Sequence, residues 1–240
     1  SAASDVYKRQ TVIRERWGWL GLATVLVCTA QWGYWILAGQ SVPVDLAVLV
    51  WFGALGLIGA VGLQAGAADV RLAASAALAT LSACVVAVAG AIALHDALGG
   101  HAGELWLAAL AGAHAAIGLV RLPRVAISAP MRRVLIVLGL VLADVAFGLS
   151  ANGITLAIGW GATAVAFASL SRRAIDRAGD QSLVGVGLGA HVALTLLRAV
   201  LQAPPSALGA DQPQLLALLS LSALAASCLA SAYLVAPRWR

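Results

Sequence analysis

The chain has 240 residues, 62% of them hydrophobic and 10% charged, with a formal net charge of +5 and a pI near 9.7. A water-soluble domain carries roughly a quarter charged residues and about half apolar ones, so this composition excludes a soluble globular fold and points to an integral membrane protein. The basic excess sits at the ends of apolar runs, not in a patch interleaved with aromatics. That placement excludes a nucleic-acid surface and suits the anchoring of membrane helices, with the lipid bilayer as the main partner.

At the start, Asp5-Val6-Tyr7-Lys8-Arg9-Gln10 matches the translation of a transposon end used in sequencing libraries, and Met131 is the one methionine. Residues 1–10 are therefore set aside as a non-native scar, and the rest is expected to belong to a longer protein. Eight apolar runs follow, at 17–38, 44–66, 72–94, 103–120, 134–149, 154–171, 183–201 and 215–235. At 1.5 Å per residue each covers most or all of a hydrocarbon core of about 30 Å, the shortest with help from flanking residues. Short connections predict four antiparallel hairpins, 17–71, 72–122, 132–173 and 182–237. The expected fold class is all-α: a polytopic transmembrane helical bundle of about eight helices, forming one integral-membrane domain over 11–240.

The arginines orient this bundle. Arg14 and Arg16 precede the first run, Arg71 lies in the second connection, and Arg121, Arg124, Arg132 and Arg133 lie in the fourth. Arg172, Arg173 and Arg177 fill the sixth, and Arg238 and Arg240 close the chain. The alternate connections hold Asp45, His95, Asp96, His101, Glu104 and Asp211 without any Lys or Arg. Under the positive-inside rule every basic cluster is cytoplasmic, which puts both termini inside an inner (plasma) membrane. Only Arg198, near the outer end of the seventh run, departs from the pattern.

Asp45-Leu46-Ala47-Val48-Leu49-Val50-Trp51, Glu104-Leu105-Trp106-Leu107-Ala108-Ala109-Leu110 and Ile154-Thr155-Leu156-Ala157-Ile158-Gly159-Trp160 each open a descending run. They suggest a repeat of about 55 residues, although Ala/Leu-rich helices also resemble one another by composition alone. Trp32, Trp35 and Trp106 fall near the expected outer surface, and Trp17, Trp19 and Trp239 near the inner one, as interface aromatics do. Gly53, Gly56, Gly59 and Gly62 recur every third residue, while Gly62/Gly66 and Gly185/Gly189 form GxxxG pairs. Small residues of this kind mark tight helix packing, or the lining of a substrate path.

Four residues stand out against the apolar background as candidate binding residues: His114, Asp144, His191 and Arg198. Asp144 and Arg198 have depths that agree within about one turn, so they are expected to pair, either as a structural salt bridge or as a substrate or proton site. Snorkelling of Arg198 toward the outer surface lowers the cost of burying it. His191 and Arg198 are two turns apart and share a helix face. His114 and His191, also at one depth, have the sharper reading of axial ligands to a b-type haem. The plainer reading is preferred, with each imidazole satisfied by a neighbouring helix. His95, Asp96, His101 and Glu104 are read as solvated loop residues rather than a metal site. Cys28, Cys84 and Cys228 show no CxxC or Cys/His spacing and are read as packing residues. No cofactor, metal or catalytic residue is assigned.

Lys8 is the single lysine, so no helix offers a retinal Schiff base. The chain contains no GxxxxGK[ST], GxSxG, HExxH or strand-to-helix GxGxxG, which leaves phosphate-cradle, hydrolase, zinc-protease and dinucleotide chemistry without a motif.

Phe147-Gly148-Leu149-Ser150-Ala151-Asn152-Gly153-Ile154-Thr155-Leu156-Ala157-Ile158-Gly159-Trp160, followed by Ala168-Ser169-Leu170-Ser171-Arg172-Arg173, resembles a unit of the large multi-pass bacterial membrane proteins of unknown function. Their helix ends in a small polar turn, continues as Thr-Leu-Ala-x-x-Trp and closes with Ala-x-Leu-x-Arg-Arg. Gln202-Ala203-Pro204-Pro205-Ser206-Ala207-Leu208 also resembles one of their outer turns. The family units carry a Glu after the Trp, and here 161–167 has none. The resemblance covers about a third of the chain. It implies a bacterial envelope protein of many helices, whose partners are other sections of a longer chain or a second copy of itself, and no known activity.

From these observations the leading function is a non-enzymatic scaffold or transport-type section. The alternative is an enzyme or carrier for a lipid-linked, phosphate-bearing substrate at the outer leaflet, with Arg198 on the phosphate and Asp144 as base.

Overall fold

The computed structural model describes residues 41–64, 72–119, 127–173, 178–202 and 215–235, together with 23, 26–29, 31 and 34. The described residues of the first apolar run are helical. Beyond them come α1 (Val42–Gln64), α2 (Leu72–Leu98), α3 (Ala102–Leu119), α4 (Ala129–Ser150), α5 (Ile154–Arg173), α6 (Ala178–Gln202) and α7 (Leu215–Leu234). The fold is all-α, and these seven helices are long and apolar enough to cross a membrane. The protein is a multi-pass membrane protein. Trp17, Trp19, Trp32, Trp35, Trp239, Gly66, Asp211 and most of the loop arginines lie outside the described residues.

Several helices outrun the apolar runs that announce them. α4 begins at Ala129 rather than at 134, and α2 continues to Leu98 rather than stopping at 94. A charge ends a hydropathic run, but it does not end a helix. Ser128 caps α4 by accepting the Met131 N–H on its Oγ at 3.3 Å, and Pro130 sits in the first turn where its missing N–H costs nothing. Arg132 and Arg133 therefore stand inside α4. Gly99 and Gly100, with φ of 64° and 55°, turn the chain from α2 into α3, and the Gly99 N–H returns to the His95 carbonyl at 2.9 Å.

The chain forms two compact units, Ser1–Phe147 and Gly148–Arg240. In the first, α2 packs against α1 and α3. Ala60, Leu78, Ala79, Met131 and Leu135 form one core cluster, and Ala87, Leu107, Ala111, Leu142 and Ala146 another. Each helix buries a seam at intervals of three or four residues. In α3 it is Gly103, Leu107, Ala111, His114 and Gly118, and in α4 Met131, Leu135, Gly139, Leu142 and Ala146. Large side chains such as Val50, Trp51, Leu55 and Ile58 face outward instead. This is the inverse of a soluble core, because lipid rewards close backbone contact rather than the burial of apolar bulk.

Gly53, Gly56 and Gly59 pack on Val86, Ser82 and Leu78 of α2. Gly62, expected to continue that row, meets nothing within 4 Å. Each step of three falls about 60° short of a full turn, so a row centred on Gly56 has left the interface by Gly62. Gly189 of the expected GxxxG pair in α6 likewise meets nothing within 4 Å, whereas a Cβ at Gly187 would overlap the Phe167 ring of α5. Residues 185 and 189 both lie about 160° around the helix from 187, so the contact face is the one opposite the expected pair.

The ends of the first unit are tied by polar side chains. Ser128 Oγ donates to Gln64 Oε1 at the end of α1. Arg132 donates from Nε to the Gly118 carbonyl at 2.8 Å and from Nη2 to the Leu119 carbonyl at 3.3 Å, capping the last turn of α3 with a cation.

In the second unit α5 packs against both α6 and α7. Its buried seam includes Ala157, Gly161, Ala164 and Ala168. Gly161 sits where the three helices meet, with a Cβ there 3.0 Å from that of Ser227 and 3.7 Å from Thr195 Cγ2. α7 answers with Ala217, Ser220, Ser227 and Ser231.

Gly56→Ala places its methyl 2.6 Å from Ser82 Cβ, an overlap expected to destabilise the first unit by about 1–3 kcal/mol. Gly62→Ala, in open space, is expected to be neutral or to stabilise by up to about 1 kcal/mol through helix propensity. Unfolding of the two variants in detergent micelles, followed by circular dichroism, checks the opposite signs.

Candidate functional site

The four candidate residues divide between the two units. His114 on α3 and Asp144 on α4 belong to the first, His191 and Arg198 on α6 to the second.

His114 is 7% exposed, and its Nδ1 lies 2.8 Å from the Leu110 carbonyl one turn back. A carbonyl only accepts, so Nδ1 carries a proton, and in the neutral ring Nε2 holds the lone pair. His191 is built the same way, with Nδ1 2.7 Å from the Gly187 carbonyl. Its ring lies 5.3 Å from that of Phe167, tilted by 36°. The sequence expectation had each imidazole satisfied by a neighbouring helix; at Nδ1 the partner is instead the histidine's own helix.

Asp144 is half-buried. It stands two residues from both Leu142 and Ala146, about 160° around α4 from the seam buried in the first unit. Arg198 is half-buried, and its Nε contacts the Gly153 carbonyl at 3.4 Å, beside the first turn of α5. It lies two turns from the buried His191, so the shared face read from the sequence is the inward one of α6.

At the α2–α3 turn, His101 Nδ1 stands 3.7 Å from Glu104 Oε1, with His101 exposed and Glu104 mostly covered. His95 and Asp96 are exposed. Among the described residues no three His, Cys, Asp or Glu side chains come together as a metal site.

Three features escaped the sequence reading. Asp45, noted only as a loop acid, is 6% exposed in the first turn of α1, and its Oδ1 has no hydrogen-bond partner among the described residues. Trp106, expected in an interface belt, instead lays its indole across Gly90 of α2 and donates from Nε1 to the Val86 carbonyl at 3.0 Å. The absence of a side chain at Gly90 makes that approach possible, and an isolated glycine in an apolar run was its one signal. The third is a cavity of about 290 Å³ between α1, α2 and α3, lined by Leu49, Gly53, Leu57, Val86, Trp106 and His114 among others. Its lining is almost wholly apolar, with His114 at one wall.

Comparison with family models, with curated proteins and with solved structures finds no match to this chain. The functional reading therefore rests on its own residues.

Trp106→Phe removes the Nε1 donor and part of the ring while leaving Val86 its own helical hydrogen bond. A loss of about 1–3 kcal/mol is expected, mostly from the void left against Gly90. Thermal unfolding of the purified protein measures it.

Proposed function

We propose that the chain is a non-enzymatic section, of scaffold or transport type, within a multi-pass protein of the bacterial inner membrane, with both termini cytoplasmic. The observation that supports it most is how the polar groups inside the helices are used. Thr163 donates to the Gly159 carbonyl, Ser169 to Val165, Thr195 to His191, Ser220 to Leu216 and Ser222 to Leu218. A hydroxyl whose proton is held by its own helix is satisfied in lipid, but it is not aimed at a base that could make it a nucleophile.

One observation favours the second reading, a carrier or enzyme for a phosphate-bearing lipid. Arg198 brings a guanidinium to the first turn of α5, where the helix dipole is already positive, and an anion would relieve both. Native mass spectrometry of the purified protein separates the two. The scaffold reading expects no phospholipid or polyprenyl phosphate whose retention depends on Arg198, whereas a bound phosphate-bearing lipid lost in Arg198→Ala would overturn it. Reporter fusions at Gly100, at Asn152 and at the C-terminal end are expected to read outside, outside and inside, and the reverse signs would sink the orientation.

A further inference from the structure

Three residues lining the cavity of the first unit carry side-chain polar atoms. Ser82 Oγ has no hydrogen-bond partner but is closed in against Gly56 of α1, out of a ligand's reach, and Trp106 spends its Nε1–H on the Val86 carbonyl. His114 differs from both. Its Nδ1–H is committed to Leu110, so its Nε2 is an acceptor by elimination, on a side chain more than nine-tenths buried in the wall of an apolar space. An imidazole kept only for packing would be replaced at lower cost by Leu or Phe, since a polar group without a partner in a dry interior is costly.

The volume and its mouth narrow the ligand. At about 290 Å³ the cavity is roughly twice the ~150 Å³ void that takes up one benzene, enough for a fused two-ring body. Val50, Ala54, Ala109 and Ala113 line it while remaining exposed on the helix surface, so it opens sideways toward the lipid phase. The Trp106 indole supplies an aromatic wall. No charged side chain lines it, so a carboxylate or phosphate would enter without a counter-charge.

We propose that the cavity between α1, α2 and α3 is a binding site for a neutral, membrane-soluble ring compound bearing a hydroxyl of the phenol class, which donates its proton to His114 Nε2. The proposal goes beyond the scaffold or transport reading and needs only the membrane setting of these three helices.

Three probes of similar size test it: 2-naphthol, which donates; 2-methoxynaphthalene, which does not; and naphthalene, which carries no oxygen. Binding is measured by isothermal titration in detergent, with heats into empty micelles subtracted. The wild-type protein is expected to bind 2-naphthol about tenfold more tightly than either of the others, the worth of one net hydrogen bond. His114→Leu should abolish that preference while retaining binding of naphthalene. Ala109→Trp, at the exposed rim, should block all three probes without touching His114 and covers the case in which the histidine variant fails to fold. Equal affinity for the three probes in the wild type would overturn the proposal. So would a hydroxyl preference that survives in His114→Leu, or the absence of saturable binding above micelle partition.

Discussion

Helices in lipid gain nothing by hiding apolar surface from one another, so each contact in this structure depends on backbones approaching closely across small residues. A Cβ at Gly139 would stand 2.9 Å from the Ala111 carbonyl, and one at Gly118 equally close to the Arg132 carbonyl. At such distances weak Cα–H···O contacts and dispersion replace the hydrophobic term that holds a soluble bundle together. The glycine, alanine and serine seams of α1 to α4, and of α5 to α7, are therefore what gives each unit its shape.

The same medium governs the polar side chains. With no water to serve a hydroxyl or an imidazole, the nearest acceptor is the carbonyl one turn back, and both buried histidines and a set of serines and threonines use it. For a hydroxyl this is a complete solution. For His114 it is half of one, because binding Nδ1 sets the tautomer of the neutral ring and leaves Nε2 a lone pair. The small apolar cavity beside His114 takes its chemical character from that local hydrogen bond.

The helices were legible in the sequence because the length of an apolar run is a local property that a bilayer reads directly. Their packing faces were much less so. α1, α2 and α7 carry only a few small or isolated polar residues on their buried faces, too little contrast for a polarity wave to mark an interface, and the useful signal is side-chain size. Size alone misled at Gly62 and Gly189, where the spacing is right but the helix has rotated past its neighbour. It gave no warning that Trp106 would lay its indole in the groove at Gly90. His114 was legible as an anomaly, but not as part of a site, because the cavity also needs the walls of α1 and α2, whose lining residues draw no attention to it. The Gln64–Ser128 link joins positions 64 residues apart and has no local signature.

Arg132 is one of the arginines on which the proposed orientation rests, and its guanidinium also closes the last turn of α3. Under that orientation one side chain serves both biogenesis and tertiary structure. Losing Arg132 would remove a topological signal and uncap α3 together, so that an error of insertion and an error of folding would share one origin.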